Sequence, residues 1–139
     1  MVKLVLGTKG KGKTKYMLEN ANKEAEQSDG LVIYLDKNSE HMFQLTRPIR
    51  LINVKEYPVN SLDTLLGFVC GLIAGNSDIV SIYFDSFLIL SELKPADAGD
   101  AIDRLVALSK KLGVEFVVSM SIDSSDVPED YKQFIALAL

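Results

Sequence analysis

The sequence contains little that could form a disulfide, a metal cluster or a membrane span. Among its 139 residues one is cysteine, one is histidine and none is tryptophan. The single cysteine, Cys70, excludes a disulfide or a zinc-binding set within the chain, and its apolar surroundings predict a small buried side chain. His41 has no second histidine or cysteine nearby, so we do not expect it to bind a metal.

Long hydrophobic runs are missing as well. The longest apolar stretch, from Leu62 to Ala74, is interrupted by Asp63, Thr64 and two glycines, so we expect no membrane span. The first apolar run begins at Val2, which predicts that the chain has no signal peptide. Together with the single cysteine, these features favour a cytoplasmic location.

Positive charge is scarce, and most of it lies in one place. The formal net charge is −4, and the arginines are Arg47, Arg50 and Arg104. Lysines occupy every second position between residues 9 and 15. An acidic chain whose basic residues gather in one loop favours a small anionic ligand, so we expect no nucleic-acid partner.

This lysine-rich segment matches the phosphate-binding loop pattern G-x-x-x-x-G-K-[ST] at every position. It reads Gly7-Thr8-Lys9-Gly10-Lys11-Gly12-Lys13-Thr14, and Lys15 follows it. Glycines at these positions let backbone N–H groups surround a phosphate, while Lys13 reaches the outer phosphates and Thr14 can hold Mg²⁺. An apolar run precedes the loop, and a run without glycine or proline follows it. Strand, loop and helix in this order predict nucleotide binding by the whole segment.

Strands and helices alternate along the rest of the chain. Near-continuous apolar runs predict five strands, at Val2–Leu6, Leu31–Leu35, Ile49–Val54, Ile79–Phe84 and Val114–Ser119. Helices are predicted over Thr14–Ser28, Ser61–Ala74, Ala98–Leu112 and Pro128–Ala138. Ser61 is placed to cap the second helix, and Gly113 to end the third. The alternation predicts one α/β domain over residues 1–139, with helices on both faces of a parallel sheet.

A second acidic element follows the fourth predicted strand, which ends in Asp85. A carboxylate at the carboxyl end of a strand, close to the Thr14 hydroxyl, can hold the Mg²⁺ that bridges nucleotide phosphates. The alternative is an aspartate that caps the turn after the strand. The apolar residues 87–90 are predicted to extend the core, and the alternative is a patch for self-association.

With these elements in place, the chain resembles the RecA-type (ASCE) core of the P-loop NTPases. It is also similar to small bacterial P-loop proteins labelled as relatives of the twitching-motility (PilT) ATPases. The order of the motifs carries the resemblance: the phosphate loop first, an acidic segment after the second strand, and Asp85-Ser86 after the fourth. It implies a three-layer α/β/α fold and a mainly parallel five-stranded sheet of order 3-2-4-5-1, numbered along this chain.

The resemblance also implies roles for individual residues. In that family a glutamate after the second strand orients the attacking water; here Glu40 matches the residue type, and Asp36 lies closer to the strand. Either could serve, or both could be solvated charges in a loop. Ser119 or Ser121 would stand where the family senses the γ-phosphate. Because such ATPases commonly form rings or filaments, the resemblance implies that the chain could form a homo-oligomer.

Three functions are compatible with these residues. The first is an ATPase that binds Mg²⁺–ATP and hydrolyses its β–γ bond; GTP is disfavoured because no guanine-selecting Asn-Lys-x-Asp stretch is present. The second is a nucleotide-binding regulatory or assembly module with little or no turnover. The third is a small nucleoside or nucleotide kinase, which ranks last because arginines are few and no lid-length insertion follows the fourth strand.

Overall fold

The computed structural model describes all residues from Met1 to Leu139. Its strands are β1 (Val2–Leu6), β2 (Leu31–Asp36), β3 (Arg50–Asn53), β4 (Ile79–Phe84), β5 (Glu115–Met120) and β6 (Ile135–Ala138). Its α-helices are α1 (Lys13–Gln27), α2 (Leu62–Gly75), α3 (Phe87–Ser91) and α4 (Ala98–Leu112). None of these helices is long and apolar enough to cross a bilayer.

The strands form one sheet in the order β3-β2-β4-β5-β1-β6. Every neighbouring pair in this sheet is parallel. The α/β class, the parallel sheet and the order of the first five strands are thereby confirmed. Because β5 lies between β1 and β4, the glycine-rich loop after β1 and Asp85 after β4 follow strands that are two positions apart in the sheet.

The alternation of side chains along the strands divides the core into two parts, one on each face of the sheet. Leu4 and Leu6 of β1 belong to a cluster of 26 buried residues, which includes residues of α2, α3 and α4. Val5, between them in sequence, belongs to a cluster of 8 buried residues together with Met17 and Ala21 of α1. Since successive strand residues point to opposite faces, α1 covers one face and the other helices cover the second.

Two predicted helix ends are present. The Ser61 hydroxyl accepts a hydrogen bond from the Thr64 N–H at 3.1 Å, and the Thr64 hydroxyl accepts one from the Ser61 N–H at 2.9 Å. This reciprocal pair is a capping box, and it satisfies backbone donors at the start of α2. Gly113 follows α4 with φ of 68°, in the left-handed region that a glycine adopts readily at a helix end.

The predicted helix over Pro128–Ala138 is wrong. A 3₁₀ helix spans Glu129–Phe134, and β6 follows it. Leu4 of β1 lies opposite Ile135, and the Leu139 N–H donates to the Leu6 carbonyl at 2.8 Å. Without β6, the backbone of the buried strand β1 would present unpaired groups at the edge of the sheet. This pairing outweighs the local preference for a helix, and the sheet therefore has six strands where the sequence predicted five.

The apolar segment after Asp85 is mainly core, as predicted. Phe87 and Leu90 are completely buried, but Ile89 is 50% exposed. Cys70 is half-buried, so its prediction as a fully buried side chain is only partly met. The exposed Ile89 follows β4 by a few residues, and it therefore lies beside the carboxyl ends of the strands.

Candidate phosphate-binding site

The glycine-rich loop joins the carboxyl end of β1 to the first residue of α1. Gly10 and Gly12 have φ of 86° and 93°, in the left-handed region where a side chain is disfavoured. Gly12 precedes α1, and no side chain caps this end of the helix. The first N–H groups of α1 therefore have no side-chain acceptor, and the first turn carries no acidic residue. Such a helix start favours binding of an anion.

The Lys13 side chain folds back over this loop. Its Nζ donates to the Gly7 carbonyl at 2.7 Å and to the Thr8 carbonyl at 3.1 Å. Burial lowers the pKa of Lys13 from its usual value, and the nearby Asp85 carboxylate opposes that effect. The ammonium is thus held at the loop by two backbone oxygens.

Thr14 and Asp85, the predicted metal-binding pair, lie in contact. The Thr14 hydroxyl donates to Asp85 Oδ1 at 3.2 Å. Asp85 is 2% exposed, and Tyr34 and Ser119 also donate to it, at 2.7 and 3.3 Å. The first turn of α1 therefore reaches across β5, the strand that separates β1 from β4. Residues 71 positions apart in sequence form one polar centre.

The backbone after Asp85 is unusual. Ser86 has φ of 64°, in the left-handed region that non-glycine residues seldom adopt. Its N–H donates to the Ser119 hydroxyl at 2.8 Å, which helps to hold this conformation. Of the two serines predicted near the γ-phosphate, Ser119 is buried beneath Asp85, and Ser121 is exposed. A rare conformation maintained by a side-chain hydrogen bond is typical of functional sites.

A cleft of about 540 Å³ opens between the loop, the start of α1 and the carboxyl ends of β2, β4 and β5. Its lining consists of Lys9, Gly10, Gly12, Lys13, Thr14, Lys37, Asp85, Ser86, Leu88, Ile89 and Ser121. The volume lies within the usual range for small-molecule sites. A second cavity of about 470 Å³ also reaches Ser121 and is lined by Thr8 of the loop and by Asp123 and Asp126. The cleft is the better match to an anion because Lys9, Lys13 and Lys37 line it, whereas the second cavity is lined by two aspartates and by no lysine or arginine.

Asp36 lies completely buried at the end of β2. Its Oδ1 accepts a hydrogen bond from the Lys37 N–H at 2.7 Å, but its Oδ2 has no partner. Burial raises the pKa of Asp36 to about 6, and repulsion by the Asp85 carboxylate adds to this effect. Glu40 is exposed, and its backbone N–H donates to Asn38 Oδ1 at 3.0 Å. Because neither Asp36 nor Glu40 lines the cleft, their role in orienting water stays a prediction.

Reasoning from the sequence missed Tyr34 and Lys37, and it noted Ser86 only as part of the Asp85-Ser86 pair, without a role of its own. Tyr34 lies within an apolar run, and its hydroxyl reaches Asp85 only because β2 pairs with β4. Lys37 and Ser86 each stand one or two residues after a strand. Their position after neighbouring parallel strands is the signal that could have identified them, once the sheet order was known.

The chain matches no protein-family model, and no curated protein sequence matches it. The functional interpretation therefore depends on the loop pattern and on the geometry of the residues around it.

Proposed function

We propose that this chain binds Mg²⁺–ATP at residues 7–14 and hydrolyses the β–γ bond. The observation that carries the proposal is the contact between Thr14 and Asp85, the two oxygen donors expected to hold the metal. If residues 7–14 formed only a glycine- and lysine-rich turn, nothing would require the Thr14 hydroxyl to contact Asp85. That carboxylate follows β4, which lies two places from β1 in the sheet. The complete loop pattern and this contact support the same function independently.

Each residue has a distinct task in this proposal. The loop N–H groups bind the phosphate chain, and Lys13 neutralises oxygens of the β- and γ-phosphates. The structure contains no group of three or more His, Cys, Asp or Glu side chains that could hold a metal on their own. Thr14 and Asp85 nevertheless fit Mg²⁺, because this ion is usually bound by one or two carboxylates together with phosphate oxygens and water. When bound, Mg²⁺ supplies charge neutralisation on the phosphates.

A second candidate is a nucleotide-binding module with little or no turnover. The placement of Asp36 and Glu40 favours it: one carboxylate is completely buried, and the other lies outside the cleft. Hydrolysis requires a group that orients the attacking water, and neither residue is among those that line the cleft. The two candidates share the same binding site and differ only in chemistry after binding.

Phosphate release and calorimetric binding, measured on the same preparations, test both candidates. We expect the wild type to bind Mg²⁺–ATP and to release phosphate, and Lys13→Ala to lose both activities. Lys23→Ala is the matched control, because Lys23 is an exposed lysine of the same helix and lies outside the cleft. Binding without release above the Lys13→Ala background would favour the module. A wild type that binds no nucleotide would contradict both candidates.

A further inference from the structure

Three lysines line the cleft, Lys9, Lys13 and Lys37, and only Lys37 lies outside the loop pattern. We propose that Lys37 binds the outermost phosphate of the nucleotide and so makes the site selective for triphosphates over diphosphates. This inference rests on the proposed function, because it concerns the same cleft and the same ligand.

The sheet places Asp85 between Lys37 and the glycine-rich loop, because β4 lies between β2 and β1. Leu35 of β2 lies opposite Phe84 of β4, so the two strands end side by side, about 4.8 Å apart. The Lys37 Nζ donates to the Ser86 hydroxyl at 3.3 Å. The Ser86 hydroxyl in turn donates to Asp85 Oδ1 at 3.4 Å. One hydroxyl therefore separates the ammonium of Lys37 from the predicted metal-binding carboxylate.

The charge of Lys37 is free to meet an anion. The four ion pairs in the structure involve other basic residues: Lys3, Lys55, Arg104 and Lys132. The side-chain partner of Lys37 is a neutral hydroxyl, and the residue is exposed in the wall of the cleft. An exposed ammonium without an ion-pair partner, in the wall of this cleft, can form a charge-assisted hydrogen bond with a phosphate oxygen.

The direction of the phosphate chain explains why this contact would be selective. The loop and Lys13 lie at the end of β1, Asp85 lies at the end of β4, and Lys37 lies beyond it at the end of β2. A phosphate chain that is held by the loop and approaches the Thr14–Asp85 pair brings its last phosphate nearest to Lys37. The inner phosphates stay on the side of Lys13.

A structural role is the competing explanation. The positive charge of Lys37 opposes the rise that burial causes in the pKa of Asp36. The lysine could therefore serve only to stabilise the buried Asp36 carboxylate. Its removal would then reduce stability and would affect all ligands of the cleft alike. Selectivity between two nucleotides separates this explanation from direct phosphate binding.

The test compares Lys37→Met with the wild type by calorimetry, using Mg²⁺–AMP-PNP as a non-hydrolysable triphosphate and Mg²⁺–ADP as the diphosphate. Removal of one charge-assisted hydrogen bond should weaken AMP-PNP binding by about tenfold or more. ADP binding should stay within about twofold, because its last phosphate lies nearer Lys13. Lys37→Arg should retain most of the preference for AMP-PNP. Lys110→Met, on the exposed surface of α4, is the matched control for loss of a lysine charge.

Equal weakening of both nucleotides, or no effect on either, would overturn the role of Lys37 while leaving the proposed function intact. A lower melting temperature combined with equal weakening would assign Lys37 to stabilisation of Asp36. A wild type that binds neither nucleotide would overturn the proposed function, and the role of Lys37 would fall with it.

Discussion

Two polar clusters that lie between α1 and the region of β4 have opposite characters. The Asp85 cluster contains Asp85, Thr14, Tyr34 and Ser119 at the carboxyl end of the sheet. The Glu24 cluster contains Glu24, Asn20, Ser81 and Tyr83 beneath α1. The rings of Tyr34 and Tyr83 are stacked, with centroids 5.9 Å apart. Two adjacent tyrosines therefore donate their hydroxyls to two different carboxylates.

The Glu24 cluster is internally satisfied. The Ser81 hydroxyl donates to Glu24 Oε2, and the Tyr83 hydroxyl donates to Glu24 Oε1 at 2.7 Å. Asn20 completes it by donating to the Tyr83 hydroxyl at 2.9 Å. Burial and the hydrogen bond to Glu24 both raise the pKa of Tyr83, so this phenol stays protonated. This cluster ties α1 to β4, which is a structural task.

The surroundings of the Asp85 cluster are less favourable to stability. The buried Asp36 beside it has an oxygen without a partner, and Ser86 holds a rare backbone conformation. Both features are expected to destabilise the folded chain. The Asp36 oxygen without a partner and the rare backbone conformation of Ser86 both lie at the carboxyl ends of β2 and β4, next to the cleft, as expected for a site maintained for binding.

The largest expected effect on nucleotide binding concerns Asp85. Asp85→Asn keeps the size of the side chain but removes the charge expected at the metal, so affinity for Mg²⁺–AMP-PNP should fall by about 100-fold. Calorimetry at matched Mg²⁺ concentrations measures this change. Asp78→Asn, at an exposed aspartate just before β4, should leave the affinity unchanged. Equal affinities for wild type and Asp85→Asn would remove Asp85 from the metal site.

The next effect concerns the free energy of unfolding, which the buried Asp36 lowers. Its pKa of about 6 in the folded state lies above the ordinary value of 3.8, so the folded state binds more protons between these two values. The wild type therefore loses stability as pH rises through this window, and the loss persists above it. Asp36→Asn should raise the free energy of unfolding by about 3 kcal/mol at pH 8 and by about 1 kcal/mol at pH 4.5. Chemical denaturation at both pH values measures the difference. The same change at both would show that Asp36 titrates normally.

The smallest effect distinguishes the Glu24 cluster from the site. Glu24→Ala leaves the buried Ser81 hydroxyl without its acceptor and should destabilise the fold by about 2 kcal/mol. Affinity for Mg²⁺–AMP-PNP should stay within about twofold, because the cluster does not line the cleft. Glu26→Ala, at an exposed position of the same helix, provides the control. If Glu24→Ala weakened nucleotide binding without a loss of stability, the contrast between the two clusters would be wrong.

The parts of the molecule that the sequence predicted are those set by local pattern. The continuous apolar runs indicated buried parallel strands, and the resemblance of their order to a known family implied the arrangement of the first five. The glycine pattern identified the loop, and its place after the first strand indicated the cleft at the carboxyl end of the sheet. Asp85 could be proposed as the partner of Thr14 because both follow elements that meet at this edge.

The parts that could not be predicted depend on contacts between distant segments. The four residues of β6 pair with β1 because that strand has a free edge, which no pattern within Ile135–Ala138 reveals. Asp36 precedes a polar segment that predicts a loop, whereas the sheet buries this residue between its neighbours. The adjacency of β2 and β4 was implied by the resemblance, but the contacts of Tyr34 and Lys37 also depend on the register of these two strands, which the sequence did not reveal.

Nucleotide binding at the glycine-rich loop can be followed by titrating the ¹⁵N-labelled protein with Mg²⁺–AMP-PNP and recording its backbone amide signals. We expect the largest shifts at residues 7–15, at Asp85 and Ser86, and at Lys37, while the amides around Glu24 and β6 move little. Signals that stay unchanged at millimolar nucleotide, or shifts centred away from the loop, would contradict it.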